Sequence, residues 1–408
     1  MNQIMRRPAA RRAAGLALPL ALCAVLAVPA SAGAGGPGRA YACRQDVHPH
    51  DRESPGEFVH VASITEAPNG DLLYAFYGGP EEIDRDKATF LSRMERGSKT
   101  WSTPVPIRKS ADAIDGNPVI WHDGQGTIYL FFSTIEGDGW DEAILQFATS
   151  RDNGRTWSAA TTLQQEWGWN VANRPLRMSN GEVILPIYHE RGASGWIVSG
   201  DGFRTWRSYP SDPADWPTPG IQPATVELSP GHLLAFMRTD ADLVYRTESF
   251  DYGRTWTPAR PTDFPNRGAR VDLIKLRDGN LVFAMNPVDG TAPERSPMRV
   301  LLSEDGGGTW PYSVDVETNR DDRYQYPYLW QSKDGYIHLG YTHTRLTKNM
   351  RSVTFNEEFV RSGPDIVSDP ASGRRQYLGE PIRTKPVEYR HGAFRQLDKC
   401  HYVRSARN

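Results

Sequence analysis

Cysteine is nearly missing from this chain, with three in 408 residues, and Cys23 sits in the N-terminal apolar run. At most one internal disulfide is left to the body of the protein. An excess of charge of one sign is missing too: 47 Lys and Arg stand against 49 Asp and Glu, a formal net charge of −2. With no long basic run, a nucleic-acid partner is not expected. Apolar residues at helical spacing are absent outside the N-terminus, which argues against a helical domain. A long apolar run occurs once, from Ala13 to Val28, behind basic Met1 to Arg12 and before the small-residue pattern Ala30-Ser31-Ala32. That order is a secretion signal over residues 1–32 rather than a membrane span, so a secreted, extracellular protein without membrane insertion is expected. Residues 33–40 read as a flexible leader.

What is present is repetition. Four copies of one box recur: Ser150-Arg-Asp152-Asn-Gly154-Arg-Thr156-Trp157, Ser199 to Trp206, Ser249 to Trp256 and Ser303 to Trp310. A looser copy runs from Ser92 to Trp101, with Met94 in the Asp place. Recurrence every roughly fifty residues is the mark of a repeat architecture. Asp and Ser oxygens accept from nearby amides, Gly supplies a positive φ, and the terminal Trp anchors a strand. The box aspartates are therefore expected to serve turns. Phe203 stands where Gly belongs, so a distorted turn is expected there.

A second signal falls between the boxes: Asn69-Gly70, Asp123-Gly124, Asn180-Gly181, Pro230-Gly231, Asp278-Gly279 and Asp334-Gly335. Each precedes a short run of β-formers, such as Ile128-Tyr-Leu-Phe-Phe132. Two hairpins per unit and six units predict an all-β, six-bladed β-propeller of four-stranded antiparallel blades. A sandwich does not repeat one turn motif at constant spacing. With 38% hydrophobic residues and no linker-like shift in composition, residues 41–408 are read as one domain. Cys43 and Cys400 lie at its opposite ends, and a disulfide between them would staple the ring where it must close. Asp46, His48 and His50 match no metal-ligand spacing, and no metal or cofactor is expected.

The boxes resemble the Asp-boxes, or BNR repeats, of the sialidase superfamily. His60-Val-Ala-Ser63, Tyr77-Gly-Gly79, Asn117-Pro-Val119, Asn173-Arg-Pro175, Ile221-Gln-Pro223, Tyr324-Gln-Tyr326-Pro327 and Tyr341-Thr342 resemble bacterial propellers of the predicted-neuraminidase type. By order of parts, the resemblance implies an acid/base aspartate at Asp84 or Asp86, a second arginine at Arg238 and a third at Arg295 or Arg299. It implies a nucleophilic tyrosine at Tyr326 or, less well, Tyr324. Two positions depart from the pattern. His60 stands where the first carboxylate-binding arginine is expected, and Gln222 where a glutamate would polarise the tyrosine.

The catalytic candidates are therefore Tyr326, Asp84, His60 and Gln222, with Arg238, Arg299, Arg295, Arg174, His189 and Asp272 as substrate-binding candidates. Arginines with a tyrosine suit an acidic sugar. The function expected is an exo-acting glycoside hydrolase on an acidic or decorated glycan, with sialidase activity proper set back by the two departures. Two alternatives stand beside it. In a lyase on a uronic-acid glycan, arginines neutralise the carboxylate while His60, His189 or Tyr326 removes the adjacent proton. In a non-catalytic glycan-binding propeller, Trp140, Trp167 and Trp169 serve as sugar platforms.

Overall fold

The computed structural model describes residues 41–48, 56–210, 220–288, 295–319, 321–344 and 348–362, with strand backbone at 365–368, 375–378 and 399–402. The expected secretion signal and leader lie outside these residues. Strand β1 is Tyr41–His48. Blade one holds β2 Phe58–Glu66, β3 Leu72–Gly79, β4 Ala88–Met94 and β5 Val105–Arg108. Blade two holds β6 Ile114–His122, β7 Ile128–Ile135, β8 Ala143–Ser150 and β9 Thr161–Gln164. Blade three is built from β10 Trp169–Val171, β11 Leu176–Arg177, β12 Val183–His189, β13 Ala193–Ser199 and β14 Arg207–Tyr209. Here β10 and β11 are two pieces of one interrupted inner strand, both paired with β12.

Blade four holds β15 Ile221–Ser229, β16 His232–Arg238, β17 Leu243–Ser249 and β18 Arg260–Pro265. Blade five holds β19 Asp272–Lys275, β20 Leu281–Met285, β21 Met298–Ser303 and β22 Tyr312–Glu317. Blade six holds β23 Arg323–Gln331, β24 Ile337–Thr344 and β25 Lys348–Phe355. Its fourth strand is β1, from the other end of the domain. Strands β26 Asp365–Ser368 and β27 Arg375–Leu378 pair as a separate hairpin, and β28 Lys399–Tyr402 adds outside β1. The six-bladed propeller read from the two repeats is what the chain forms. Among the described residues no helix is long and apolar enough to cross a membrane.

The strands in the middle of each blade are covered on both faces, so they read as continuous apolar runs rather than as alternation. Strands β3 and β7 are buried at every position. Successive blades share one interior: Tyr74 and Phe76 of blade one, Phe131 and Phe147 of blade two and Leu185 of blade three belong to a single cluster. The box tryptophans wedge into these seams, with Trp256 stacked on Trp196 at 3.6 Å between ring centres.

Ring closure has its own polar lock. Glu317 of blade five accepts from Arg44 of β1 at 2.8 Å, Arg351 of β25 at 3.0 Å and the Tyr341 hydroxyl at 2.5 Å. Arg351 also donates to Asp46 at 2.8 Å, so that carboxylate is engaged in closure, and His50 lies outside the described residues.

Antiparallel register fixes what each face of the ring displays. His60 pairs with Tyr77 at one end of the β2–β3 hairpin and Glu66 with Leu72 at the other. The Gly turns and the boxes therefore share the Glu66 end, and the loops at 80–87, 136–142 and 190–192 share the His60 end. The four boxes are built alike. In the Asp251 box, Oδ1 accepts the amides of Arg254 and Thr255 at 3.0 and 2.9 Å, Oδ2 accepts the Thr255 hydroxyl at 2.6 Å, and Ser249 Oγ donates to Oδ1 at 2.8 Å.

The expected distortion at Phe203 does not occur. Phe203 takes φ 60°, and its amide donates to Ser199 Oγ at 2.9 Å, the distance at Gly154 and Gly253. A left-handed non-glycine residue costs of order 1–2 kcal/mol. Burial of the ring against Phe131 at 5.2 Å offsets it.

Asp251→Ala removes a turn's acceptor and should lower unfolding free energy by about 1–3 kcal/mol in urea. Because the box is on the far face, the chemistry of the mouth should be unchanged. In the β1–β28 register Cys43 lies opposite Cys400. A bridge there predicts a single non-reducing peptide joining the two, and loss of roughly 5 kcal/mol at most on reduction.

Candidate active site

The innermost strand of most blades breaks its ladder near the mouth. Register shifts fall between His60 and Ser63, Gly116 and Val119, Ile221 and Ala224, and Gln325 and Tyr328. Inside each break one non-glycine residue has positive φ: Val61 at 60°, Asn117 at 48°, Gln222 at 57° and Tyr326 at 56°. Proline follows three of them, at 118, 223 and 327, where a bulge needs no amide for the ladder. Such backbone costs of order 1–3 kcal/mol per residue and gathers where side chains must be aimed. Here it turns Asn117, Gln222 and Tyr326 toward one place.

Tyr326 is half-buried, and its hydroxyl accepts from Arg238 Nη1 at 3.4 Å. The same Nη1 lies 3.5 Å from Gln222 Oε1. The His60 ring stands edge-on to the Tyr326 ring, 4.3 Å between centres. The Arg295 and Arg270 guanidiniums lie 5.6 and 5.8 Å from that ring. His60, Gln222, Arg238, Arg295 and Tyr326 are therefore brought together from blades one, four, five and six.

The ambiguous pairs separate by geometry. Arg299 on β21 is engaged with Asp315 of β22 at 2.6 and 2.8 Å, while Arg295 borders Tyr326. Tyr324 is buried on the other side of β23, stacked on His343 at 5.4 Å, with its hydroxyl on Asp322 at 3.4 Å. Asp86 is exposed and paired with Lys109 at 2.9 Å. Asp84 stays in the loop over the mouth, accepting the Asp86 amide at 2.6 Å.

Three expected binding residues are placed elsewhere. Arg174 reaches from blade three to the buried Asp272 carboxylate of blade five and to the Leu273 carbonyl at 3.1 Å, and also meets the Leu329 carbonyl of blade six. Asp272 also accepts the Leu329 amide. The pair is a strut inside the channel. His189 faces away from Tyr188, bonded through Nε2 to the Trp167 carbonyl and through Nδ1 to the Arg191 amide, each at 3.1 Å. Of the three tryptophans, Trp169 is core, Trp140 is half-buried and Trp167 is exposed beside the mouth, donating to Glu136 at 2.9 Å.

Several site residues carried no motif. Arg270 is wholly buried beneath Tyr326, donating to Asn173 Oδ1 at 2.8 and 3.0 Å, and Asn173 donates on to the Gln222 carbonyl at 2.8 Å. Its Nη1 has no partner among the described residues. Lys87 is buried, 4.2 Å above the Tyr77 ring and 4.9 Å from Trp140, with its ammonium on the Glu82 carbonyl at 2.7 Å. Lys348 lies 3.5 Å over Phe58. Tyr188, also fully buried, receives hydrogen bonds from Asn117 at 3.2 Å and Gln222 at 3.4 Å. Recurrence of x-Pro within the inner strands was the available signal for Asn117 and Gln222.

The electrostatics follow from burial among cations. Burial, then Lys348, Arg295, Arg270 and Lys87, holds His60 well below the ordinary imidazole range, so it is neutral, with Nδ1 2.9 Å from the Thr342 hydroxyl. Burial pushes Lys87 down to about 7, against the pull of Glu82, Asp115 and Asp84. Lys348 falls to about 8, chiefly through burial. Glu190 moves the other way, raised by burial although Tyr188 and Arg238 favour its charged form. The mouth thus joins a phenol, a neutral imidazole and several guanidiniums, which suits a sugar bearing a carboxylate.

Comparison with known proteins agrees with this arrangement at the level of fold and family. The model of the family described as BNR repeat-like domain matches residues 70–339. The chain is 28% identical over 370 residues to a sialidase of Micromonospora viridifaciens, covering 76% of this chain and 55% of that one. It is 25% identical over 309 residues to a sialidase of Bacteroides fragilis, covering 64% and 55%. The chain therefore spans about half the length of these curated relatives. Among solved structures, the intramolecular trans-sialidase from Ruminococcus gnavus superposes with a TM-score of 0.66 at 16% identity, covering 78% of this chain and 98% of that one. A Hadza microbial sialidase gives 0.60 at 19%, covering 74% and 66%.

If Arg174 is a strut, Arg174→Ala strands the Asp272 carboxylate and should destabilise the fold by about 3–5 kcal/mol in denaturant titration. A group serving substrate alone would leave the unfolding midpoint where it was.

Proposed function

This chain belongs to the family of BNR repeat-like domains, and on that footing we propose that it is a secreted, exo-acting glycoside hydrolase for a glycan ending in an acidic sugar. The observation that carries the reading is the meeting of Tyr326 and Arg238 at 3.4 Å, with His60 against the same ring and Arg295 and Arg270 beside it. The resemblance to sialidases supports it, because that superfamily works with a tyrosine nucleophile in place of a second carboxylate.

In this reading Arg238 and Arg295 hold the sugar carboxylate, and His60, kept neutral, shapes the floor without adding charge. Tyr326 attacks the anomeric carbon and gives up its phenol proton to the solvent of the mouth, while the glycosidic C–O bond breaks as Asp84 protonates the leaving oxygen. Water then cleaves the bond between sugar and phenol oxygen, its hydroxyl going to the sugar and its proton to Asp84, and the phenol oxygen regains a proton from solvent. Replacement of a charged arginine by neutral His60 weakens the grip on a carboxylate, so the substrate range differs from one built on three arginines.

A lyase on a uronic-acid glycan is the second reading, favoured by one observation. A buried, uncharged His60 beside Arg295 and Arg270 could take the proton next to a carboxylate that those arginines neutralise. His189 is not placed for that task, since both of its ring nitrogens are engaged behind Trp169.

A panel of sialosides, glucuronides, rhamnosides and arabinosides, read for released sugar and for ultraviolet absorbance of an unsaturated uronate, separates the readings. Released saturated sugar, with kcat/KM falling about 10²-fold or more in Tyr326→Phe, is the expected result. Unsaturated product would replace the hydrolase by the lyase. Saturable binding without turnover of any sugar would leave a glycan-binding propeller.

A further inference from the structure

The loop at 80–87 carries the carboxylate that protonates the leaving oxygen in the proposed reaction, yet most of the loop lies in water. Glu81, Glu82, Ile83, Arg85 and Asp86 are exposed, and Asp84 among them is half-buried. Two hydrogen bonds fix Asp84 from within the loop. The Lys87 amide donates to the Asp84 carbonyl at 3.1 Å, closing a tight turn, and the Asp86 amide donates to Asp84 Oδ1 at 2.6 Å. One carboxylate oxygen is thereby held, and Oδ2 has no hydrogen-bond partner among the described residues.

The turn is tied to the blades by the side chain that ends it. Lysine is seldom fully buried unless paired. Lys87 is wholly buried all the same, and no carboxylate among the described residues forms an ion pair with it. Its ammonium donates instead to the Glu82 carbonyl at 2.7 Å, two residues before Asp84. It stands 4.2 Å from the centre of the Tyr77 ring of blade one and 4.9 Å from that of Trp140 of blade two. Gly116 of β6 makes room for this cage, since a Cβ there would lie 2.4 Å from the Trp140 ring and 3.3 Å from Lys87 Nζ. Burial opposes the charge, drawing Lys87 down to about 7, and two ring faces with one carbonyl are what compensate it.

We propose that Lys87 positions the acid: seated between Tyr77 and Trp140, its side chain holds the Glu82 carbonyl and so sets the turn that aims Asp84 at the leaving oxygen. Lys87 touches no reacting atom, so it is a positioning residue, and the covalent steps stay those of the proposed function. A loop whose residues before Asp84 are exposed has little packing of its own to fix a carboxylate. The caged ammonium couples it to two rigid blades, and a misplacement of about 1 Å in such a group costs on the order of 10²-fold in rate.

This inference rests on the hydrolase reading and on Asp84 as its acid, and the test keeps the three apart. The sugar that the panel identifies is offered as the glycoside of an alcohol, whose oxygen must be protonated to leave, and as the 4-nitrophenyl glycoside, whose phenolate leaves without a proton. In both, kcat/KM reports the breaking of the glycosidic bond. Asp84→Asn should lower it by about 10²-fold or more on the alcohol glycoside and little on the nitrophenyl one. Lys87→Met, which fills the cage without the charge, should show the same pattern with a loss of about 10–10²-fold. Gly116→Ala, which drives the Trp140 ring from its seat, should follow it. Removal of a buried, unpaired ammonium should leave the unfolding midpoint of Lys87→Met where it was or raise it, whereas loss of a lysine that served the fold alone would lower it. Equal loss on both glycosides, or none on the alcohol glycoside, in Lys87→Met would overturn the proposal.

The second arm needs no substrate. Hydrogen exchange of the Asp86 amide reports its bond to Asp84 Oδ1, and it should quicken severalfold in Lys87→Met. Unchanged exchange would overturn the proposal even if sugar is hydrolysed. If Asp84→Asn loses rate equally on both glycosides, the acid is another group, and this inference fails while the hydrolase reading stands. If no sugar is turned over, the hydrolase reading fails, and exchange at Asp86 alone decides whether Lys87 holds the loop.

Discussion

Closure of the ring governs everything else in this molecule. Each blade buries its faces against two neighbours, so a ring left open would expose two large apolar faces and let the inner strands drift apart. Strand β1, from the far end of the domain, completes blade six by pairing with β25. Glu317 gathers Arg44, Arg351 and Tyr341 around that joint, taking one group each from β1, β25 and β24. Burying so many charges is tolerable because each is paired. The lock matters for the mouth because His60 and Tyr326 sit on the two inner strands that flank the seam.

The ring divides its labour by face. Antiparallel register sends the Gly turns and all the boxes to one side, where Asp152, Asp201, Asp251 and Asp305 each satisfy a single turn. The opposite side receives the bulged ends of the inner strands. Positive φ at Asn117, Gln222 and Tyr326 is costly in isolation and is held by packing on both flanks. The stable face and the strained face are joined by the same strands.

Charge in the mouth is arranged in two depths. Arg174 and Asp272 neutralise one another inside the channel and tie three blades together, which gives the upper site a firm base. Around Tyr326 and His60 stand Arg238, Arg270, Arg295 and Lys348, and burial, with those of them that reach His60, keeps its imidazole uncharged. Such a group of fixed cations is what the acidic sugar of the proposed function would neutralise. Glu190, pushed toward its protonated form, is the exception in that field.

Much of this was legible in the chain because the governing forces are local. A box such as Ser249 to Trp256 closes on itself through bonds spanning four residues, so its spacing announces both the turn and the blade count. Phe203 shows the limit of local reading, since the ring that should have spoiled a turn is held by partners on β7 and β8 of another blade. The order of parts also brought Tyr326, Arg238, Gln222 and His60 to one site. Which of Arg295 and Arg299 borders the tyrosine, and that Arg174 spends itself on Asp272, depended on side chains about thirty to a hundred residues apart meeting across the ring, because the blades share a central channel. Arg270 and Lys87 belong to that second class. Nothing adjacent in sequence marks them, and only the packing of blades around one axis sets Arg270 beneath Tyr326 and Lys87 against Trp140 of the next blade, where burial works against the charge of each.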